Sequence, residues 1–110
     1  MSDYYGTIAA ADAYHLARGN SAVWDAVEVD DAEKEIALLL ASEWVDFNFG
    51  ASFAGYRTDK RAQLREWPRT SAYDVYDVLI DGTPDEVARA TYEVALQQII
   101  QNGSLFKTWI

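Results

Sequence analysis

A chain of 110 residues fits one small domain, and with 50% hydrophobic and 14% aromatic residues it lies far from the composition of chains that stay unfolded. The absence of cysteine excludes disulfides, thiolate metal sites and a cysteine nucleophile, and fits a reducing compartment. A net charge of -9 excludes a general affinity for nucleic-acid phosphates, so any DNA contact must be local.

The first residues show no basic region followed by an apolar core. No apolar run approaches the roughly 20 residues that span a bilayer, so a soluble protein made inside the cell is expected. A short helix is predicted after Thr7, a candidate N-cap, with Arg18 in its last turn and Gly19 just beyond its end. Ile8, Ala11 and His15 form one row on it, with Tyr14 alongside. A second helical turn from Ser21 places Trp24 and Val27 three residues apart.

The strongest helical pattern runs over residues 30–50. Asp30 and Glu33 imitate a capping box, and Ile36, Leu39, Leu40, Trp44 and Phe47 follow a helical repeat. Those five are the expected centre of the core, each worth roughly 1.5 to 3 kcal/mol if fully buried. Gly50 and Gly55 then bracket a break. Residues 58–67 allow one or two helical turns capped by Thr58 or Asp59, and Pro68 disfavours helical geometry at Trp67. Residues 71–82, rich in Val, Tyr and Ile, read as a strand or extended loop closed by a turn at Asp81 and Gly82. A last helix starts with Thr83 as cap, Pro84 in its first turn and Glu86 completing the box. Its inward face is Val87, Thr91, Val94, Ala95 and Ile99, and Gly103 stops it. The tail after it, with Leu105, Phe106, Trp109 and Ile110, is apolar enough to need a surface to bury against.

Catalytic chemistry finds little footing. His15 is the only histidine and reads as a packed imidazole on an Ala-rich face. No nucleophile elbow, zinc-protease motif or phosphate-binding glycine loop is present. The acids at Asp30 and Asp31 are explained by helix capping. Asp74, Asp77 and Asp81 lack the spacing of a calcium loop and read as a solvated face or channel lining. We expect no catalytic residues, no metal and no cofactor. A hydrolase working through the aspartates is the most distant reading.

One segment stands out. Residues 55–69 hold Arg57, Lys60, Arg61, Arg65 and Arg69, five of the nine basic residues, beside Trp67-Pro68. Three uses are open: a loop whose Trp67 plugs the core while its arginines pair with surplus acids, a protein-docking patch, or a single-strand grip in which Tyr56 and Trp67 stack on bases.

The order of these features resembles a known family. Tyr5-Gly6-Thr7 leads to a helix with Ala11, Asp12 and Tyr14; Trp24, a long helix, Gly55, Thr58-Asp59, Gln63, Trp67-Pro68-Arg69 and a proline-initiated helix follow. That arrangement resembles small tailed-phage proteins labelled DnaT-like and single-stranded-DNA-binding, and is similar to the head-tail connector, or adaptor, proteins of the virion neck. The resemblance covers about residues 4–103, and its most specific piece is Gln-x-x-x-Trp-Pro-Arg. One departure is local: the family commonly places Leu two residues after the Gln, whereas here Leu64 follows Gln63 directly and Arg65 takes the later place, so different packing is expected there.

The resemblance implies a mostly helical adaptor, with twelve copies in a ring below the portal and further neck or tail proteins on the other face. An acidic subunit suits a passage through which DNA slides without being held. The expected fold is mainly α: a small bundle of about four helices with a long extended loop or short β segment and an extended C-terminal tail. Residues 1–103 form the helical domain and 104–110 a docking tail. Its core is expected to include Tyr14, Trp24, Leu40, Trp44, Phe47, Trp67 and Pro68. Subunit and portal contacts are expected from Arg57, Lys60, Arg61, Arg65, Arg69, Leu105, Phe106, Trp109 and Ile110. The protein would be made in the host cytoplasm and reside in the virion neck, touching no membrane. The other reading is a single-stranded-DNA-binding replication accessory.

Overall fold

The computed structural model describes residues 3–27 and 29–101, and the expected docking tail lies outside them. The chain is mainly helical: α1 (Ile8–Ala17), α2 (Ser21–Trp24), α3 (Asp31–Phe49) and α4 (Asp85–Ile100), with a two-stranded antiparallel sheet of β1 (Tyr56–Arg57) and β2 (Arg69–Thr70). The sheet pairs Tyr56 with Thr70 and Arg57 with Arg69.

The helix ends follow the sequence closely. Thr7 accepts a hydrogen bond from the Ala10 amide at 3.0 Å, and Asp30 accepts one from Glu33 at 2.9 Å, so both predicted N-caps form. At the end of α1, Gly19 takes a φ of +74°, its amide reaches Leu16 and the Asn20 amide reaches His15 at 2.8 Å. That is a Schellman closure, and it needs the left-handed geometry that glycine adopts without strain. The start of α4 differs from expectation: Pro84, not Thr83, holds the cap position, and no side chain caps the helix. The 58–67 segment shrinks to a single 3-10 turn at Lys60–Ala62.

Two apolar clusters fill the interior. In the first, Ala11, Trp24, Ala37, Leu38, Ala41, Tyr92, Ala95 and Leu96 join α1, α2, α3 and α4. In the second, Tyr5, Val45, Trp67, Ala72 and Val87 tie the 50–83 loop to the ends of α3 and α4. Half-buried Trp44 and Val94 pack against both clusters, so the loop rests on the bundle directly.

The buried face of α3 corrects the sequence reading. Its buried residues are Lys34, Ala37, Leu38, Ala41, Ser42 and Val45, whereas Ile36 is 50% and Phe47 67% exposed. Phe47 is therefore no core residue; Tyr14, Leu40, Trp44 and Pro68 are half-buried, and Trp24 and Trp67 are fully enclosed. Small side chains explain the rotation. Ala37, Ala41 and Ser42 let α4 approach closely through Thr91 and Ala95, and close approach wins dispersion contacts along the whole interface that bulky side chains would prevent. Most of the predicted face of α4 holds: Val87, Thr91 and Ala95 are buried, joined by Tyr92 and Leu96, while Val94 and Ile99 are half-buried.

Residues 71–82 form an extended loop. A single bridge pairs Tyr73 with Leu79, and the Ile80 amide bonds Ala72 at 2.8 Å. Asp74 organises the tip, its Oδ1 accepting from the amides of Tyr76 (2.8 Å) and Val78 (3.0 Å).

Candidate functional site

The arginine-rich segment is built on Asp46, near the C-terminal end of α3. Asp46 Oδ1 accepts from the Tyr5 hydroxyl at 2.5 Å, and Oδ2 accepts from the Glu66 amide at 3.2 Å. Arg65 Nη1 lies 3.2 Å from the same Oδ2. The Tyr5 oxygen in turn accepts from the Trp67 amide at 3.2 Å. One carboxylate thus fixes the N-terminal segment and the entry to Trp67 at once. Burial pushes the Asp46 carboxyl above its ordinary value, against the opposing pull of Tyr5, the Glu66 amide and Arg65. Burial, with Asp46 beside it, likewise drives the Tyr5 phenol up, so it stays protonated and can donate.

Glu66 is the second centre. Arg57 Nη2 donates to its Oε2 at 2.6 Å and Arg69 Nη1 to its Oε1 at 2.7 Å. Arg57, on β1, holds the Glu66 carboxyl below its usual range, partial burial works against that, and Arg69 on β2 adds to the lowering. Arg69 also donates to the carbonyls of Ala54 (2.7 Å) and Gly55 (2.8 Å), so its whole fork is occupied. At Gly55 the φ is +72°, and a Cβ would stand 2.2 Å from the Thr70 carbonyl oxygen, so the strands meet only with glycine there.

Gln63 explains the most specific motif. Its Nε2 donates to the carbonyls of Arg65 (2.7 Å) and Pro68 (2.9 Å), and its Oε1 accepts from the Asp59 amide at 3.2 Å. In Gln-x-x-x-Trp-Pro-Arg the Gln closes the loop on itself, the Trp enters the core against Phe53 with ring centroids 5.4 Å apart, and the Arg ties the strand back. At the departure from the usual leucine position, Leu64 is exposed and Arg65 is buried.

The basic residues expected at an interface fall into two groups. Arg57, Arg65 and Arg69 are committed to Glu66 and Asp46 of their own chain. Lys60 and Arg61 are exposed and make no ion pair among the described residues. Leu105, Phe106, Trp109 and Ile110 lie outside the described residues. Periodicity missed Tyr5, Asp46, Gln63 and Glu66 as network members; only the spacing of Gln63 and Trp67 signalled them.

Elsewhere, polar groups serve the core. His15 is fully buried, with Nε2 3.0 Å from the Tyr92 carbonyl and Nδ1 3.3 Å from the Asn20 amide nitrogen. The carbonyl can only accept and the amide donates, so the ring is neutral with its proton on Nε2. Burial lowers its pKa, which keeps it so. Lys34 reaches Asp12 (2.9 Å) and Asp25 (2.6 Å), while Trp24 Nε1 donates to the same Asp12 oxygen at 2.7 Å. Burial pulls the Lys34 pKa down, but the bonds to the two aspartates outweigh it.

A cleft of about 170 Å³ opens between the N-terminal segment and the arginine loop, lined by Tyr4, Tyr5, Gly6, Arg65, Trp67, Pro68 and Thr83. Beyond it, the 73–79 tip presents a run of exposed apolar side chains, with Val75 91% and Tyr76 83% exposed. Among the described residues no cluster of three metal-ligating side chains occurs, and no helix is long and apolar enough to cross a membrane.

Residues 1–108 match the family described as "Putative DnaT-like ssDNA binding protein", and the chain belongs to that family. No curated protein and no solved structure matches it. The family's description does not name a head-tail connector.

Proposed function

We propose that this DnaT-like family member is a non-catalytic assembly subunit, a head-tail connector of a tailed-phage neck that meets other proteins and lets DNA pass without gripping it. One observation carries the reading: the arginines that would have made a phosphate-binding groove are each ion-paired with acids of the same chain. A single-strand binder needs a net basic track beside its stacking aromatics, and Lys60 and Arg61 are a short track on a chain of net charge -9. The exposed apolar tip at 73–79 supports a protein partner, since such runs mark interaction surfaces. A ring of copies, the portal as partner and residence in the virion neck follow from the resemblance and belong to this proposal.

The second reading is a single-stranded-DNA-binding replication accessory. The family's description speaks for it directly, across residues 1–108, and Tyr56 beside the Lys60–Ala62 turn offers one stacking ring next to two cations. Oligonucleotide binding measured against salt separates the two. The connector reading expects no binding at physiological salt; two cations alone would give a slope of about -1.4, at roughly 0.7 per phosphate on a single strand. Tight binding with a slope implying several phosphate contacts would establish the DNA reading in its place.

A further inference from the structure

Helix α3 carries three neighbouring rows of side chains, each spaced i, i+4, i+8, and only two of them are enclosed. In the first, Lys34 binds Asp12 and Asp25 while Ser42 accepts from the Tyr5 amide at 2.9 Å, so the row of Lys34, Leu38 and Ser42 faces α1, α2 and the N-terminal segment. The second row, Ala37, Ala41 and Val45, faces α4. That helix runs antiparallel to α3, since Val87 near its start shares a cluster with Val45 whereas Leu96 near its end shares one with Ala37 and Ala41. The third row is Ile36, Leu40 and Trp44. Ile36 is 50% exposed and lies in neither cluster, and Leu40 and Trp44 are half-buried. Phe47, 67% exposed, prolongs the row by a turn.

We propose that residues 104–110 of the same chain lie along this third row, as a strap that closes the open side of the helix pair. α4 ends at Ile100 with Gln101 as its cap, and its antiparallel course brings that end beside the Ile36 end of the row. Asn102 and Gly103 come next, residue types that turn a chain at a helix terminus. The nine residues 102–110 reach about 30 Å when extended, against about 16 Å from Ile36 to Phe47 along the helix. Length therefore permits the strap within one copy. Leu105, Phe106, Trp109 and Ile110 supply the apolar area, and laying them on the row removes two apolar surfaces from water at once. Charge selects this segment over a second copy of α3. Glu33 and Glu43 border the row and are exposed, so a facing α3 would set acid against acid, whereas Lys107 is the only charged side chain in 104–110. The strap is independent of the connector reading, because it concerns a single copy of the chain.

Nuclear magnetic resonance on the whole 110-residue chain tests it. The methyl groups of Ile36 and Leu40 should show Overhauser contacts to the rings of Phe106 or Trp109, and a mixture of labelled and unlabelled copies should show none between copies. Ile36→Ser and Trp109→Ser should each lower the melting temperature by about 4 to 8 °C. The double variant should lower it by clearly less than their sum, because side chains in contact lose one shared interaction. Absence of any contact from the tail rings to the row overturns the strap, and so does a double variant whose loss is the full sum. Contacts seen only between copies overturn the single-chain assignment and make the row an interface between subunits.

Discussion

Trp24 and Trp67 are buried almost equally, at 0% and 3% exposure, yet they are held in different ways. Around Trp24, helices satisfy their own backbone groups, so a few side chains suffice: its indole N–H finds Asp12, which Lys34 also holds. Around Trp67 the regular pairing amounts to two residue pairs, so side chains must bind the backbone instead. Gln63, Arg57 and Arg69 together accept from or donate to the backbone of six other positions, and the Trp67 indole N–H still lacks a partner among the described residues. Regular structure is cheap in side chains; an anchored loop consumes them. That consumption ties Arg57 and Arg69 to the backbone of their own loop.

The largest expected effect tests whether the loop is part of the fold. Trp67→Ala should cost about 3 to 5 kcal/mol in chemical denaturation, because it empties the second cluster beneath Trp44 and Phe53. Against a total of roughly 5 to 15 kcal/mol for a domain, the variant would be close to unfolding. A loss under about 1 kcal/mol would mean that the helical half folds without the loop, and that Trp67 serves an interface.

Glu66→Gln comes next, at about 1 to 3 kcal/mol, since one substitution weakens the charge-assisted bonds of two arginines. The figure is held to the lower range because Arg57 is 36% exposed and water replaces part of its bond. Removing Lys34 from the helical half should cost less, as Asp12 and Asp25 are 40% and 43% exposed and rehydrate. If the Lys34 variant proves the weaker of the two, the contrast between halves fails.

Acidification reaches both halves. The folded-state pKa values of Glu66 and His15 are lowered, so each contributes stability that is present above its unfolded pKa and lost as pH falls through its folded one. Asp46 has the opposite sign: its raised pKa makes protonation favour the fold, with that contribution lost as pH rises. Melting temperature should therefore fall on going below the ordinary histidine pKa and further below the glutamate range, with Asp46 softening the second step. His15→Gln, which keeps a donor for Tyr92, should flatten the first step and leave the second intact. A melting temperature unchanged from pH 7 to pH 4 would remove the neutral imidazole and the Glu66 pair from the account.

How much was legible follows the same division. Thr7, Asp30 and Gly19 announced the helix ends because capping is local chemistry written within a few residues. The buried face of α3 was misjudged because side-chain size was read as burial, whereas Ala37, Ala41 and Ser42 are buried for being small. The loop was least legible. Asp46 and Tyr5 are 20 and 62 residues from the loop positions they bind, and no period connects them. Only the Gln63 to Trp67 spacing, whose bonds close within five residues, could be seen in advance.

The smallest expected effect on stability carries the most about function. Val75 and Tyr76 stand on a tip whose backbone is fixed by Asp74, so replacing both with serine leaves its amide bonds intact. At 91% and 83% exposure they bury almost nothing, and the change should stay within about 0.5 kcal/mol. The same change removes two of the most exposed apolar side chains of the loop half. If the tip docks on protein, light scattering or co-purification should show assembly lost while the melting temperature holds. Loss of stability by 2 kcal/mol or more would place the tip against the protein's own surface, and loss of neither property would move the docking surface away from the tip.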